Sequence, residues 1–379
     1  MIIFLIVFLS LYGGIHAYLF FKAKAALDFS MRTSIILALF MLIMLVTPIL
    51  LRLIERTGNI SLARPFANIG FTWMGFLFLF LMTSLVFDIY KLLITIADYI
   101  LHKSLSAFFP NITYIFLISV FIPFAIIIYG FFEAANIRVE QVIIKTAKLP
   151  AEIKELRIVQ ITDLHLSLTV NEKYLQKVMM LVKESKPDIF ISTGDLIDDD
   201  TKNLDRLAAL LNGVEAQYGK FAVTGNHEFY FGLPRATAFH EKAGFTILRQ
   251  QSVDIEGILM LTGVDDPTAH QFDPNVDVSA LPLLKTIPHE RFTILLKHQP
   301  RVERGAAGLF DLQLSGHTHK GQIFPFMLFT KIFFPLTGGY LHKIDGSLAY
   351  VSRGTGTWGP PIRFLAPPEI TVFDIVRKK

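Results

Sequence analysis

Apolar positions fall along this chain in two different patterns. Over the first 136 residues they form long, nearly unbroken stretches, approximately Ile2 to Phe21, Thr33 to Leu51, Phe66 to Phe87 and Ile112 to Phe132. A helix needs roughly 20 such residues to cross a hydrocarbon core, and these stretches lack the polar face that a soluble helix shows at 3.6-residue spacing. They predict four transmembrane helices over residues 1–136. Pro48, Pro123 and the Gly13-Gly14 pair do not oppose this, because neighbouring helices in lipid can re-satisfy freed backbone groups. Ala23-Lys24-Ala25 resembles a signal-peptide cleavage site, but the apolar run before it is too long, no Lys or Arg precedes it, and three more spans follow.

Beyond Phe132 the apolar runs shorten. Residues 137–150 (IRVEQVIIKTAKLP) alternate and predict a strand that links the membrane half to a domain over 151–379. Short strands are predicted at RIVQIT, DIFIST, KFAVT, FTILLK and LFDLQLS. Leu175, Val178, Met179 and Val182 recur at helical spacing and predict an amphipathic helix over about 171–185. Further helices are expected from Asn203 to Leu211 and from Pro234 to Glu241, Pro234 fitting a first helical turn. Later strands around Ile258, Phe292, Leu312, Leu348 and Thr371 follow one another with less helix between them. This order predicts one α/β domain built as a mixed sheet sandwich with flanking helices.

Charge sharpens the division. Of 36 Lys+Arg and 32 Asp+Glu, only 8 and 5 precede Ile137. The spans divide the flanking basic residues into Arg52, Arg56, Arg64, Arg138, Lys145 and Lys148 on one side and Lys22, Lys24, Arg32, Lys91 and Lys103 on the other. That small excess places the C-terminal domain on the cytoplasmic face by the positive-inside rule. The net charge of +4 comes without any Lys/Arg block interleaved with aromatics, so no nucleic-acid partner is expected. The absence of cysteine excludes disulfides and thiolate ligands. Within the spans, His16 is expected to bond a neighbouring helix, and Asp88 to pair locally with Lys91 or lie at the interface.

Five polar clusters follow the predicted strands: Asp163-Leu164-His165, Gly194-Asp195, Gly225-Asn226-His227-Glu228, His298, and Gly316-His317-Thr318-His319. Carboxyl ends of strands in an α/β sheet converge on one crevice, so side chains distant in sequence can share one site. Asp163, His165, Asp195, Asn226, His298, His317 and His319 all offer imidazole, carboxylate or amide donors, a set suited to manganese, iron or zinc. Seven donors exceed the needs of one ion. Two divalent ions bridged by Asp195 would use them all and would clamp the attacking and leaving oxygens of an in-line displacement. His227, left over, is suited to protonating the departing oxygen as general acid, and Glu228 either orients it or caps a turn. Gly194-Asp195 or His298 alone would carry no weight; their joint order carries the argument.

These motifs resemble the calcineurin-like metallophosphoesterase superfamily over roughly Ile137 to Lys379. YGKFAVTGNHEFY, LSGHTHKGQIFP and SRGTGTWGPPIRFLAPPEIT resemble more closely its membrane-associated bacterial branch related to YkuE and YaeI. The resemblance implies a four-layered α/β/β/α sandwich with a dinuclear centre. It places one metal on Asp163, His165, Asp195 and His319, and the other on Asp195, Asn226, His298 and His317, with His227 as the acid. Lys320 stands where relatives often carry glycine. The implied activity is phosphoester hydrolysis by metal-activated water or hydroxide attack on phosphorus.

The family does not select a substrate. Residues 323–336 (IFPFMLFTKIFFPL) are too apolar for an ordinary exposed loop. They are read either as a segment dipping into the bilayer, bringing a lipid-linked phosphate or pyrophosphate to the metals, or as a buried loop. Arg353 and Arg363 are candidates for holding phosphate, against a default of salt bridges within the fold. The competing functional reading is a non-catalytic membrane scaffold or sensor with a metal-binding phosphoesterase domain, although an intact acid at His227 has no use there.

Overall fold

A computed structural model of the chain describes residues 2–198 and 204–378. Two compact units emerge, one of residues 1–131 with 359–362, the other of residues 132–358 with 363–379.

The first unit is helical. Helices α1 (Ile2–Leu27), α2 (Met31–Arg56), α3 (Ile60–Leu101) and α4 (Ile112–Ala135) are each long and apolar enough to cross a membrane. Ser30 caps α2 by accepting from Thr33 N, and Asn59 caps α3 by accepting from Leu62 N. With 42 residues, α3 extends beyond the stretch expected from apolarity; at 1.5 Å rise it is ~63 Å long, about twice the hydrocarbon thickness. It ends at His102, whose φ of 50° is left-handed. A Cβ on Gly70 would lie 2.3 Å from Thr47 Cγ2, so α2 and α3 approach closely through a small residue. His16 donates from Nδ1 to Tyr12 O at 2.8 Å and accepts at Nε2 from Trp73 of α3 at 3.0 Å. The ion-pair partner of Asp88 is Lys22 of α1 rather than the expected local Lys91.

The second unit comprises β1 (Arg138–Thr146), β2 (Glu155–Ile161), α5 (Glu172–Glu184), β3 (Ile189–Ser192), α6 (Leu204–Asn212), β4 (Lys220–Ala222), α7 (Asn226–Phe231), α8 (Leu233–Lys242), β5 (Thr246–Ile247), β6 (Gln251–Ile255), β7 (Leu259–Gly263), α9 (Ala269–Phe272), α10 (Leu281–Leu284), β8 (Thr293–Leu296), β9 (Leu312–Ser315), α11 (Phe326–Phe333), β10 (Tyr340–Ile344), β11 (Ser347–Val351) and β12 (Glu369–Arg377). Asn203, expected to open α6, lies outside the described residues.

Two six-stranded sheets form, ordered β1-β12-β2-β3-β4-β5 and β10-β11-β9-β8-β7-β6. Alternation along each strand sorts its side chains. Ile158, Ile191, Leu261, Ile294 and Leu314 fill the space between the sheets, while Val159, Phe190 and Val372 face α5, α6 and α8. The outer face of the second sheet, through Leu295, meets Ala280, Leu284 and Phe310. The result is the four-layered α/β/β/α sandwich, its last layer reduced to the four-residue helix α10 and connecting turns. The segment read as a linking strand, β1, lies at the edge of the first sheet, parallel to β12 with Arg138 opposite Glu369.

Candidate metal centre

β2, β3 and β4 run parallel to one another, as do β8, β9 and β11. Their carboxyl ends therefore share one rim of the sandwich, and the five polar clusters leave from it. The turns off those strands are tight. Asp163, His165, Asp195, His317 and His319 all have φ between 48° and 70°, a region that residues with a Cβ seldom adopt and that concentrates at functional sites. Gly225 and Gly316 permit the close approach: a Cβ on either would lie 2.1 Å from a carboxylate oxygen of Asp195 or Asp163, respectively. Lys320 also has a positive φ, 52°, which explains why a glycine would serve equally well there.

The donor atoms gather in overlapping groups: Asp163 with His165 and His319, His165 with Asp195 and His227, and Asp195 with His298 and His317. His165 Nε2 is 2.9 Å from His319 Nε2, and His298 Nε2 is 3.2 Å from both His317 Nδ1 and Asp195 Oδ2. Hydrogen bonds behind the rings orient them. His165 donates from Nδ1 to Asp198 Oδ1 at 2.6 Å, and His298 from Nδ1 to the Thr193 carbonyl at 2.8 Å. The second nitrogen of each ring is thereby turned toward the neighbouring donors, the arrangement that suits a cation. Asn226 follows Gly225 directly, and its Oδ1 is buried without a hydrogen-bond partner, an orphaned acceptor of the kind a metal ion would satisfy. The residues present thus fit a divalent metal site.

The electrostatics agree. Asp163 and Asp195 are 0% and 2% exposed, and buried carboxylates require positive charge nearby. Burial opposes ionisation of Asp195, but His298, His227 and His165 outweigh it and hold the carboxyl well below its ordinary range. Burial also opposes charge on His298, yet Asp195 and Asp163 hold its imidazole well above its usual value. His317 is pushed down to about 3 by burial and by His298. His319 is held well below the usual imidazole range by burial and by Arg363, whose Nη2 lies 3.1 Å from its Nδ1. Neutral rings are the form that binds a metal.

Glu228 does not orient His227. Its carboxylate accepts from Asp195 N at 2.9 Å, Leu196 N at 2.8 Å and Gly225 N at 2.6 Å, clamping the β3 and β4 turns together as an extended capping box. The partner of His227 is Asp198, at 2.9 Å from Nδ1, a residue that sequence reasoning missed. Its signal was faint: one acid in the run Asp198-Asp199-Asp200, three positions after Asp195. Burial works against charge on His227, but Asp198 and Asp195 raise it to about 9.

Neither candidate phosphate-holding arginine is available for that task. Arg353 pairs with Glu369 at 2.7 Å and Glu140 at 2.5 Å. Arg363 is fully buried and donates to the carbonyls of Arg353, His319, Ala366 and Gly356. Both tie the C-terminal segment to the site's rim.

Residues 156–321 match the family described as calcineurin-like phosphoesterase. An Aquifex aeolicus protein described as an uncharacterized metallophosphoesterase is 40% identical over 252 residues, covering 66% of this chain and 96% of that protein. This chain belongs to the calcineurin-like metallophosphoesterases. Two other members extend the likeness. YkuE of Bacillus subtilis is 32% identical, over 61% of this chain and 83% of its own. A zebrafish transmembrane protein with metallophosphoesterase domain is 31% identical, over 66% of this chain and 60% of its own. As a metallophosphoesterase the chain is a hydrolase of phosphoesters, and its four helices long and apolar enough to cross a membrane accord with the transmembrane relative.

Proposed function

We propose that this metallophosphoesterase is a multi-pass membrane enzyme with a dinuclear centre that hydrolyses a phosphate or pyrophosphate carried on a lipid. The observation that carries the substrate class is α11. Instead of being buried, this helix is exposed along its length, with Leu328, Ile332 and Phe333 at 54%, 73% and 66% exposure. It begins soon after His319, and Phe334 at its end stacks edge-on against His317 with ring centroids 4.9 Å apart. Exposed Trp358 and Tyr230 lie 6.1 and 5.6 Å from the His227 ring. An apolar surface bordering a polar, phosphate-sized chemistry suits an amphiphile.

Asp163, His165, Asp195 and His319 would hold one cation, and Asp195, Asn226, His298 and His317 the other. When bound, two divalent ions supply Lewis acidity to the entering and departing oxygens of an in-line displacement at phosphorus. The protein's own part is to keep the donors in place and to deliver a proton. Asp198 occupies Nδ1 of His227, so the proton available to a departing alkoxide is on Nε2. The same carboxylate aligns His165, coupling the acid to the metal-holding side. The domain is assigned to the cytoplasmic face from the basic residues flanking the spans.

The test is an activity screen of the full chain with manganese, zinc or iron across lipid-linked, nucleotide and aryl phosphoesters. Turnover should favour the lipid-linked class and vanish in Asp195→Asn. Activity equal on soluble and lipid-linked esters would overturn the substrate class, and metal binding without turnover on any ester would favour a scaffold. Because the chain has no cysteine, a single Cys at exposed Met180 offers a clean label for the membrane side of the domain.

A further inference from the structure

The helical unit contains a polar cavity unconnected with the hydrolytic chemistry. It lies where α1 ends and α4 begins, a junction fastened by Thr113 Oγ1 donating to Ala26 O at 2.8 Å. The cavity is about 50 Å³ and is lined by Lys22, Ser84, Asp88, Lys91 and Ser119 between apolar walls that include Phe116. By the same measure a water needs roughly 10–15 Å³, so the space admits several waters or one tetrahedral anion.

Charge and hydrogen bonding decide between those occupants. Asp88 is already satisfied: Lys22 pairs with one carboxylate oxygen, and Tyr18 OH donates to the other at 2.5 Å. Lys91 therefore leaves the cavity with an excess positive charge; its ammonium lies 5.9 Å from the Phe109 ring. Ser119 is 1% exposed, and its hydroxyl has no hydrogen-bond partner. A helical serine in an apolar span usually returns its hydroxyl to the preceding turn. Here the hydroxyl is buried and unpartnered, on a residue lining a cavity that Lys22 and Lys91 also line, at a cost that a bound acceptor would remove. A cation would meet two ammonium groups and a carboxylate already engaged, so an anion with several acceptor oxygens is the matching ligand. Basic pockets between transmembrane helices bind phosphate headgroups in this manner.

We propose that the Lys22–Lys91–Ser119 cavity is a binding site for the phosphate group of an anionic ligand, held by the membrane half independently of the metal centre.

Native mass spectrometry of the full chain from mild detergent tests this, with phosphatidylglycerol and phosphatidylcholine as lipid probes. Thermal unfolding in millimolar inorganic phosphate supplies the soluble arm. The wild type should retain phosphatidylglycerol over phosphatidylcholine if the phosphate belongs to a lipid, or gain a phosphate-dependent rise in Tm if it is free. Lys91→Gln and Ser119→Ala, which both spare the Lys22–Asp88 pair, should weaken the response roughly tenfold, as expected when one charge-assisted hydrogen bond is lost. Lys103→Gln, at an exposed lysine, should leave it unchanged. The proposal is overturned if the wild type shows neither response, or if Ser119→Ala and Lys91→Gln match it. Should Lys91→Gln fail to fold, Ser119→Ala decides alone.

Discussion

Replacing Asp198 by asparagine keeps the side chain's shape and removes its charge. Oδ1 of that residue lies 2.6 Å from His165 Nδ1 and 2.9 Å from His227 Nδ1, and the side chain is 13% exposed. Burial alone would lower His227, yet it rises from 6.5 to about 9, with Asp198 the first of the groups that lift it. That rise corresponds to ~3 kcal/mol of preference for the protonated ring. An imidazole is charged below its pKa, so the acid is available below about 9 and is lost as pH climbs through that value. In Asp198→Asn the basic limb of the kcat/KM profile should move to lower pH by roughly one to two, the reach of one neighbouring charge. Hydrolysis of a phenyl ester, whose leaving group needs a proton, should fall roughly tenfold to a hundredfold near pH 8, the lower part of a general acid's contribution. A p-nitrophenyl ester should be far less affected. Metal content, measured by plasma mass spectrometry on the same samples, separates this from damage to His165. Equal losses on both esters with an unmoved basic limb, or losses that track missing metal, would refute the reasoning.

Three further outcomes are expected. Gly316→Ala places a Cβ 2.1 Å from Asp163 Oδ2 and 2.2 Å from Thr162 Oγ1; it should cost ~1–3 kcal/mol and lower bound metal per chain, read by metal analysis after dialysis. Arg363→Met leaves the carbonyls of Arg353, Ala366 and Gly356 without their donor, so unfolding of the domain should become easier by about 3 kcal/mol or more, seen as a lower Tm. Ile332→Asp combined with Phe333→Asp alters only exposed positions and should reduce turnover of vesicle-embedded substrate roughly tenfold by charging an interfacial helix while sparing aryl esters; equal effects on both would remove α11 from substrate delivery.

Periodicity made most elements legible. The helix expected over 171–185 forms as α5, with Asn171 accepting from Lys173 N and Tyr174 N, because its apolar stripe and its cap agree. The strands before each polar cluster form because three to seven largely apolar residues end at glycine or a short polar turn. The length of α3 beyond Phe87 was not legible, since a hydropathy stretch ends where polar residues begin but a helix does not. Nor was the interior place of β12, between β1 and β2, since strand order depends on contacts between residues more than two hundred positions apart. At the site, glycine-flanked donor types stood out, whereas Asp198 was hidden among successive acids; for Arg353 the default of a salt bridge within the fold held, through Glu140 and Glu369, and Arg363 is engaged by backbone carbonyls that no sequence pattern marks. Glu228 shows the same limit: its three backbone donors belong to two different turns.

The insertion of β12 between β1 and β2 has a bearing on biogenesis. Those two flanking strands leave the ribosome early, but the one that joins them is made after every other strand of either sheet. The four N-terminal helices are therefore made while the hydrolase half is still an open chain, and the first sheet is complete only once its last-made strand has joined it. A translation product stopped before Glu369 should be membrane-integrated yet protease-sensitive throughout its downstream half.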